Sequence, residues 1–413
     1  MPSSSQQVML LVDLVLITGA AALLGRVAAL LGQPPVVGEM FAGILTGPAV
    51  IGIHASRALF PLDVQGYLAA FSDVGVALFM FQAGAEIERR SFDSSRRLIV
   101  VVSVSAYVVP FLLGVLLATT VLAGSAGNHP RSFRLFVGAA LAVTAFPVLA
   151  RILSDRNMLR TRIGQWSLGA AAANDVLAWT VLSALIAFAG SRANSGWRLL
   201  LVVPFGLAVL LVRRVLVWRD RREGGAEATG MAGLAVCGTL LCGAATEWVG
   251  LHFVFGAFAF GVIFPRRHRE AIIKRLDSVS SLFLPAFFVV AGLQVDGGLP
   301  RGSSLPSLCA VIVTAVLGKF GGTFFAAWLC GTPVRDAGML ASLMNTRGLT
   351  ELVILVVGLS LGLIDRHVYS LMVVAALVTT AMTAPLLGLF ERRAEPVLPS
   401  RRDHRSTRAV EIE

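Results

Sequence analysis

Apolar runs of about 20 residues recur from one end of this 413-residue chain to the other, each long enough to cross a hydrocarbon core of about 30 Å. No water inside such a core satisfies backbone N–H and C=O groups, so the runs must be helices. A soluble protein has no use for so many of them. Composition agrees: 56% of the residues are hydrophobic, 14% are charged, and the mean hydropathy is +0.79. The chain is therefore an all-α polytopic membrane protein.

About thirteen spans can be placed, at 8–30, 36–52, 66–87, 98–123, 133–153, 163–190, 198–218, 229–247, 250–265, 279–295, 305–330, 334–362 and 367–390. The loops after the third, fifth, seventh and ninth carry the clusters "ERRSFDSSRR", "RILSDRNMLRTR", "RRVLVWRDRR" and "PRRHREAIIKR". Arginine-rich loops stay in the cytoplasm, which puts the N-terminus outside and the C-terminus inside a multi-pass protein of the cell membrane. The net charge of +11 is thus a matter of topology, and no nucleic-acid partner is expected. "MPSSSQQ" lacks the positive region of a secretory signal, so the first run reads as a retained span. Residues 396–413 form a short polar cytoplasmic tail, too small to bury a core, after a membrane domain of 1–395. Four cysteines without ligand spacing and six scattered histidines imply no metal site. No cofactor is expected, and no nucleophile–base set points to an enzyme.

An internal repeat organises the chain. "FMFQAGAEIE" (79–88) and "FFVVAGLQVD" (287–296) share Phe, Ala-Gly, an aliphatic residue and a final acid in register. "VGEMFAGILTGP" and "VFGAFAFGVIFP" are both short, Gly-rich and end at Pro. Seven spans separate each pair, and an odd separation makes the repeat inverted in topology. At corresponding places the fifth span carries "LAVTAFPVLARIL" and the twelfth "LMNTRGLTEL". In the first, Pro147 removes a backbone donor and Thr144 offers a hydroxyl to the freed carbonyls. In the second, Asn345, Thr346 and Arg347 precede Gly348. Two interrupted helices at matching positions mark a midplane binding site in a secondary transporter.

Ionisable residues inside the spans are the candidate machinery. Asp175, in "AAANDVLAW", has no other charged residue between Arg162 and Arg192. A carboxylate at a helix centre costs roughly 2.5–3.5 kcal/mol unless hydrated, paired or protonated. One carboxylate with two exclusive occupants, a proton or a cation, suits an exchange site, and Asn174 adds a neutral oxygen beside it. Lys319, in "VLGKFGG", is one of only two lysines among 35 basic residues. An ammonium can release its proton where a guanidinium cannot, so Lys319 either pairs with Asp175, titrates in a cycle, or stands as a fixed counter-charge. Arg347 and Glu351, four residues apart, can meet on one helix face and support the break. Glu86 sits at the inner end of the third span, where a cytoplasmic funnel or plain interfacial placement would put it. Glu39 and Asp13 also fall in apolar runs, with no role assigned by spacing.

The segments "GEMFAGILTGPAVIG", "FMFQAGAEIE", "AVTAFPVLARIL", "AAANDVLAW", "FLPAFFVVAGLQVD" and "MNTRGLTELVILVVGL" resemble, in order, the signature segments of the cation:proton antiporter-2 family, in its plant, fungal and bacterial cation/H⁺ exchanger branch. The resemblance covers about residues 10 to 390. It implies the sodium/proton antiporter fold, with two crossed discontinuous helices, and a homodimer in which a core moves like an elevator against a dimerisation scaffold. Core helices would span about 66–190 and 279–390, and scaffold helices about 8–52 and 198–265. By motif, Asp175 resembles the ion-binding aspartate, Asn174 its neighbour, Thr144 the threonine of the unwound helix and Lys319 the core lysine. Electrogenic relatives carry Asp-Asp where this chain has Asn-Asp, which favours electroneutral exchange, whereas many Asn-Asp relatives carry Arg in place of the lysine. The long C-terminal regions of plant members and the nucleotide-binding tails of potassium-efflux relatives have no counterpart in this sequence. The implied function is exchange of Na⁺ or K⁺ for H⁺. A gated K⁺ efflux path and a non-transporting membrane sensor on the same fold are the rival readings.

Overall fold

The computed structural model describes residues 4–87, 89–126, 130–188, 201–222, 228–293 and 305–391. The 396–413 tail lies outside the described residues. Among these residues all regular structure is helical. In chain order the helices are α1 (Ser4–Leu30), α2 (Pro35–Thr46), α3 (Pro48–Ile51), α4 (Ile53–Leu59), α5 (Leu62–Ala85), α6 (Arg89–Thr119), α7 (Pro130–Ala142), α8 (Phe146–Asp155) and α9 (Arg162–Phe188). They continue as α10 (Val202–Arg222), α11 (Ala228–Val249), α12 (Phe253–Ile263), α13 (Arg269–Leu293), α14 (Leu305–Val316), α15 (Gly322–Leu329), α16 (Val334–Met344), α17 (Leu349–Ser360) and α18 (Arg366–Glu391). A π-helical turn, Leu317–Gly321, joins α14 to α15. Seven segments of the described chain are long and apolar enough to cross a membrane by length and composition, one of them the broken stretch Pro130–Asp155. The sequence expects only a connection where α4 forms; there the chain turns at Gly52, whose φ is 84°.

Packing repeats itself. Helix α1 lies on α2 as α11 lies on α12, and α2 meets α13 as α12 meets α5. Helix α6 lies against α7 and α9 as the α14–α15 pair lies against α16 and α18. The crossing of each first pair depends on one glycine. A Cβ on Gly38 would sit 2.1 Å from the Leu24 carbonyl oxygen, and one on Gly256 would sit 1.9 Å from that of Cys242. Any side chain there would push the two backbones apart.

The helices sort into two packed groups. Helices α1, α2, α5, α11, α12 and α13 form the first; α6 to α9 and α14 to α18 form the second, and the largest buried apolar cluster draws on both. From the sequence, the core is expected to begin at 66 and 279. Packing joins α5 and α13 to the first group because their small residues let other backbones come close. A Cβ on Gly84 would lie 2.2 Å from the Phe258 carbonyl oxygen of α12, and one on Gly75 would lie 2.5 Å from Phe283 Cβ of α13. Arg269 ties the ends of that group together. It donates to the Ala85 carbonyl at 2.7 Å, to Val262 at 2.9 Å and to Phe264 at 2.9 Å, closing the C-termini of α5 and α12. Burial and the neighbouring Arg266 push its guanidinium down to about 10, against the pull of Glu86, so it stays charged at neutral pH.

Candidate functional site

Two helices of the second group are interrupted where the sequence predicts. Helix α7 stops at Ala142 and α8 starts at Phe146; α16 stops at Met344 and α17 starts at Leu349. Each break strands carbonyls at one helix end and N–H groups at the next. One link between them is backbone to backbone: Ala145 N–H donates to the Thr346 carbonyl at 3.1 Å. Pro147 is no mid-helix kink. It occupies the first turn of α8, where a missing N–H costs nothing. Thr144 bonds across the site rather than along its own helix, donating to the Met344 carbonyl at 3.4 Å.

Two buried cations take the carbonyls freed at the end of α7. Arg347 donates to the Leu141 carbonyl at 2.6 Å, and Lys319 donates to the Ala142 carbonyl. Lys319 also reaches the Ala106 carbonyl of α6 at 2.8 Å and Asn174 Oδ1 at 3.4 Å. Three N–H donors thereby face three oxygens, and the positive charge sits at the negative end of the α7 dipole. The π-helical turn carrying Lys319 adds a residue to its helix, a distortion often found at functional sites.

Asp175 lies on the opposite pole. It is 2% exposed, and the Phe146 N–H at the positive end of α8 is directed at its carboxylate. Its Oδ1 has no hydrogen-bond partner, and neither does Nδ2 of Asn174 beside it. Lys319 hydrogen-bonds Asn174 rather than Asp175, acting on the carboxylate through charge. Arg347 and Glu351 pair at 2.9 Å with both side chains 1% exposed, as their spacing predicts. Asp175, Glu351, Lys319 and Arg347 thus form a buried set of two acids and two bases. Gly348 sits at φ 151°, ψ −130°, a conformation L side chains rarely adopt, and a Cβ there would fall 2.9 Å from Val148 of α8.

Family comparison fits this geometry. The profile described as "Sodium/hydrogen exchanger, transmembrane" matches residues 17–389. The chain belongs to the sodium/hydrogen exchanger family. It is 34% identical over 398 residues to the Na⁺/H⁺ antiporter NhaS4 of Synechocystis sp., covering 92% of this chain and 96% of that protein. It is also 34% identical to the Cation/H⁺ antiporter 20 of Arabidopsis thaliana, covering 91% of this chain and 48% of that one, so it spans about half of the plant relative. The fold matches the sodium proton antiporter MjNhaP1 of Methanocaldococcus jannaschii with a TM-score of 0.67 at 14% identity, covering 93% and 99% of the two chains.

In this exchanger-family chain Glu86 caps the end of α5 and grips Arg160 with both carboxylate oxygens, one of them at 3.0 Å. It lines two cavities of about 390 Å³ each between α5, α13 and the end of α8; Gln82 and Asp277 line one of them. Glu39, to which spacing assigned no role, meets Arg151 of α8 at 3.6 Å. Both ion pairs join the first packed group to the second.

Sequence inspection also passed over α18. Thr380 Oγ1 lies 3.0 Å from the Arg347 nitrogen and 2.7 Å from its carbonyl oxygen, Asn345 Nδ2 donates to the Thr379 carbonyl at 3.3 Å, and Thr383 meets Thr346 at 3.3 Å. The signal was present as "TTAMT", three hydroxyls on about one face of an apolar helix. The Ala106 carbonyl, a backbone acceptor, leaves no trace in sequence.

Proposed function

We propose that this chain exchanges a monovalent cation, Na⁺ or K⁺, for H⁺ across the cytoplasmic membrane by elevator-type alternating access, with Asp175 as the shared site. The observation that carries this reading is the unpartnered Asp175 Oδ1, buried where two broken helices meet. An orphaned buried carboxylate oxygen is costly unless a proton or a cation takes it in turn. Asn174, Thr144 and backbone carbonyls offer further oxygens of the kind such cations prefer. Relatives named for Na⁺/H⁺ and cation/H⁺ antiport support the same class.

The four buried charges sum to zero when Asp175 is ionised. Loading with one proton or one monovalent cation brings the set to the same charge, so one-for-one exchange is electroneutral provided Lys319 keeps its proton. Its three hydrogen bonds favour that, because a neutral amine, with two N–H donors, would leave one of the three oxygens without a donor.

The second packed group is the moving body in this reading, the first is the scaffold and dimer face, and thirteen crossings place the N-terminus outside. One side of the seam is closed by aromatics: Phe146 meets Phe258 edge-on at 4.8 Å, and Trp179 lies 5.6 Å from His252. Cavities open at the arginine-rich end. That combination corresponds to an inward-facing state. Dequenching of a pH dye in everted vesicles, with Na⁺, K⁺ and Li⁺ added in turn, tests the proposal. Wild-type chain should respond to at least one cation and Asp175→Asn to none; an equal response from that variant would overturn the assignment.

A further inference from the structure

A pocket of about 280 Å³ lies away from Asp175, at the end of the second group where α6 and α9 begin and α15 ends. Trp166, which lines it, precedes Asp175 by nine residues of α9, about 13 Å at 1.5 Å per residue. Arg97 and Arg162 line the pocket with Ser95 and Thr332, and its described lining contains no carboxylate. Arg162 stacks over the Trp166 ring at 4.4 Å, which leaves the guanidinium edge available for hydrogen bonding. Trp166 itself is 2% exposed, yet its indole N–H has no hydrogen-bond partner. Buried donors are normally satisfied, so an unmet one beside two arginines points to an acceptor from outside the chain.

We propose that this pocket binds a phosphate-type oxyanion, carried by an acidic phospholipid headgroup or by inorganic phosphate. Arg97 and Arg162 supply charge and forked donors, and Trp166 supplies a fixed N–H. A guanidinium matches two phosphate oxygens at once, and the neutral indole selects an acceptor without adding charge. The location suits a headgroup: helix ends with a tryptophan at an arginine-rich boundary are where lipid phosphates lie. Every lining element belongs to the second group, so the bound anion braces α6, α9 and α15 together without crossing the seam to the first.

The test uses the purified full-length protein in detergent, with the thermal unfolding midpoint as readout. Dioleoylphosphatidylglycerol is compared with dioleoylphosphatidylcholine, and inorganic phosphate with chloride at matched ionic strength and pH. A ligand that binds only the folded state raises the midpoint, and Trp166→Phe and Arg97→Gln should each remove about half or more of that gain. Stabilisation by the glycerol lipid alone identifies a headgroup site, and stabilisation by phosphate as well identifies a free-anion site. Should Trp166→Phe fail to fold, Arg97→Gln, whose side chain is exposed, carries the comparison. No gain from either probe would overturn the proposal, as would a gain that survives in full in both variants.

Discussion

The backbone N–H of Ala145 meets the Thr346 carbonyl at 3.1 Å, so two helices some 200 residues apart in sequence are joined at the very points where each is broken. Around that link a cationic pole of Lys319 and Arg347 faces the end of α7, and Asp175 faces the start of α8.

Gly348→Ala should impair both folding and transport. Forcing a side chain into that backbone region costs about 1–3 kcal/mol, before the 2.9 Å approach to Val148 is counted. Gly388→Ala in α18, where a Cβ meets nothing within 4 Å, is the control and should be neutral or better. Thermal melts of the two variants side by side decide the matter, and equal midpoints would sink it.

Breaking the Arg347–Glu351 pair should be expensive. Glu351→Gln leaves a buried guanidinium uncompensated, a loss of about 3–5 kcal/mol for a pair of this burial. A double replacement with apolar residues should recover part of it, although Leu141 then loses its donor. Denaturant titrations of the single and double variants measure the coupling; additive losses would mean that the pair is not a unit.

Cross-linking across the seam should stop transport if the packed groups move against each other. Cysteines replacing Glu86 and Arg160, in a chain whose own four cysteines are changed to Ser, should, once joined by a short bis-maleimide, block cation-driven proton movement. Arg160→Gln alone should alter rates only a few-fold, because Arg160 is 61% exposed and such pairs contribute about 0–1 kcal/mol. Undiminished transport by the cross-linked protein would remove the elevator from the mechanism.

Charge stoichiometry has its own assay. In proteoliposomes with no pH gradient, a clamped membrane potential should fail to drive cation uptake. Potential-driven uptake that vanishes in Lys319→Gln would instead give the lysine a second transported proton.

For topology, cysteine labels at Arg96 and at Asn128, the latter outside the described residues, should report opposite sides of the membrane. The same side for both would exclude the thirteen-span, N-out arrangement.

Much of this was legible in one dimension. Hydrophobic runs announced helices in a bilayer, the recurring Ala-Gly segments announced the repeat, and polar residues in apolar context announced Asp175, Lys319 and the Arg347–Glu351 pair. Each of these signals is local, or a comparison of local segments, because a hydrocarbon medium penalises every polar group placed in it. Less legible were Thr380, which meets backbone atoms in the break between α16 and α17, and the role of Glu39, which depends on meeting Arg151.

By itself, then, the sequence determined that the chain is helical, where its helices break, and which costly side chains stand near those breaks. Only the tertiary structure decided what each of them touches. It moved α5 and α13 to the first packed group, turned Thr144 across to Met344, and gave Lys319 to Asn174 and two carbonyls instead of to Asp175. The physical reason is that a freed backbone carbonyl or N–H is identical at every residue. Its partner is therefore selected by how closely the helices approach, which depends on glycine contacts and packing far along the chain.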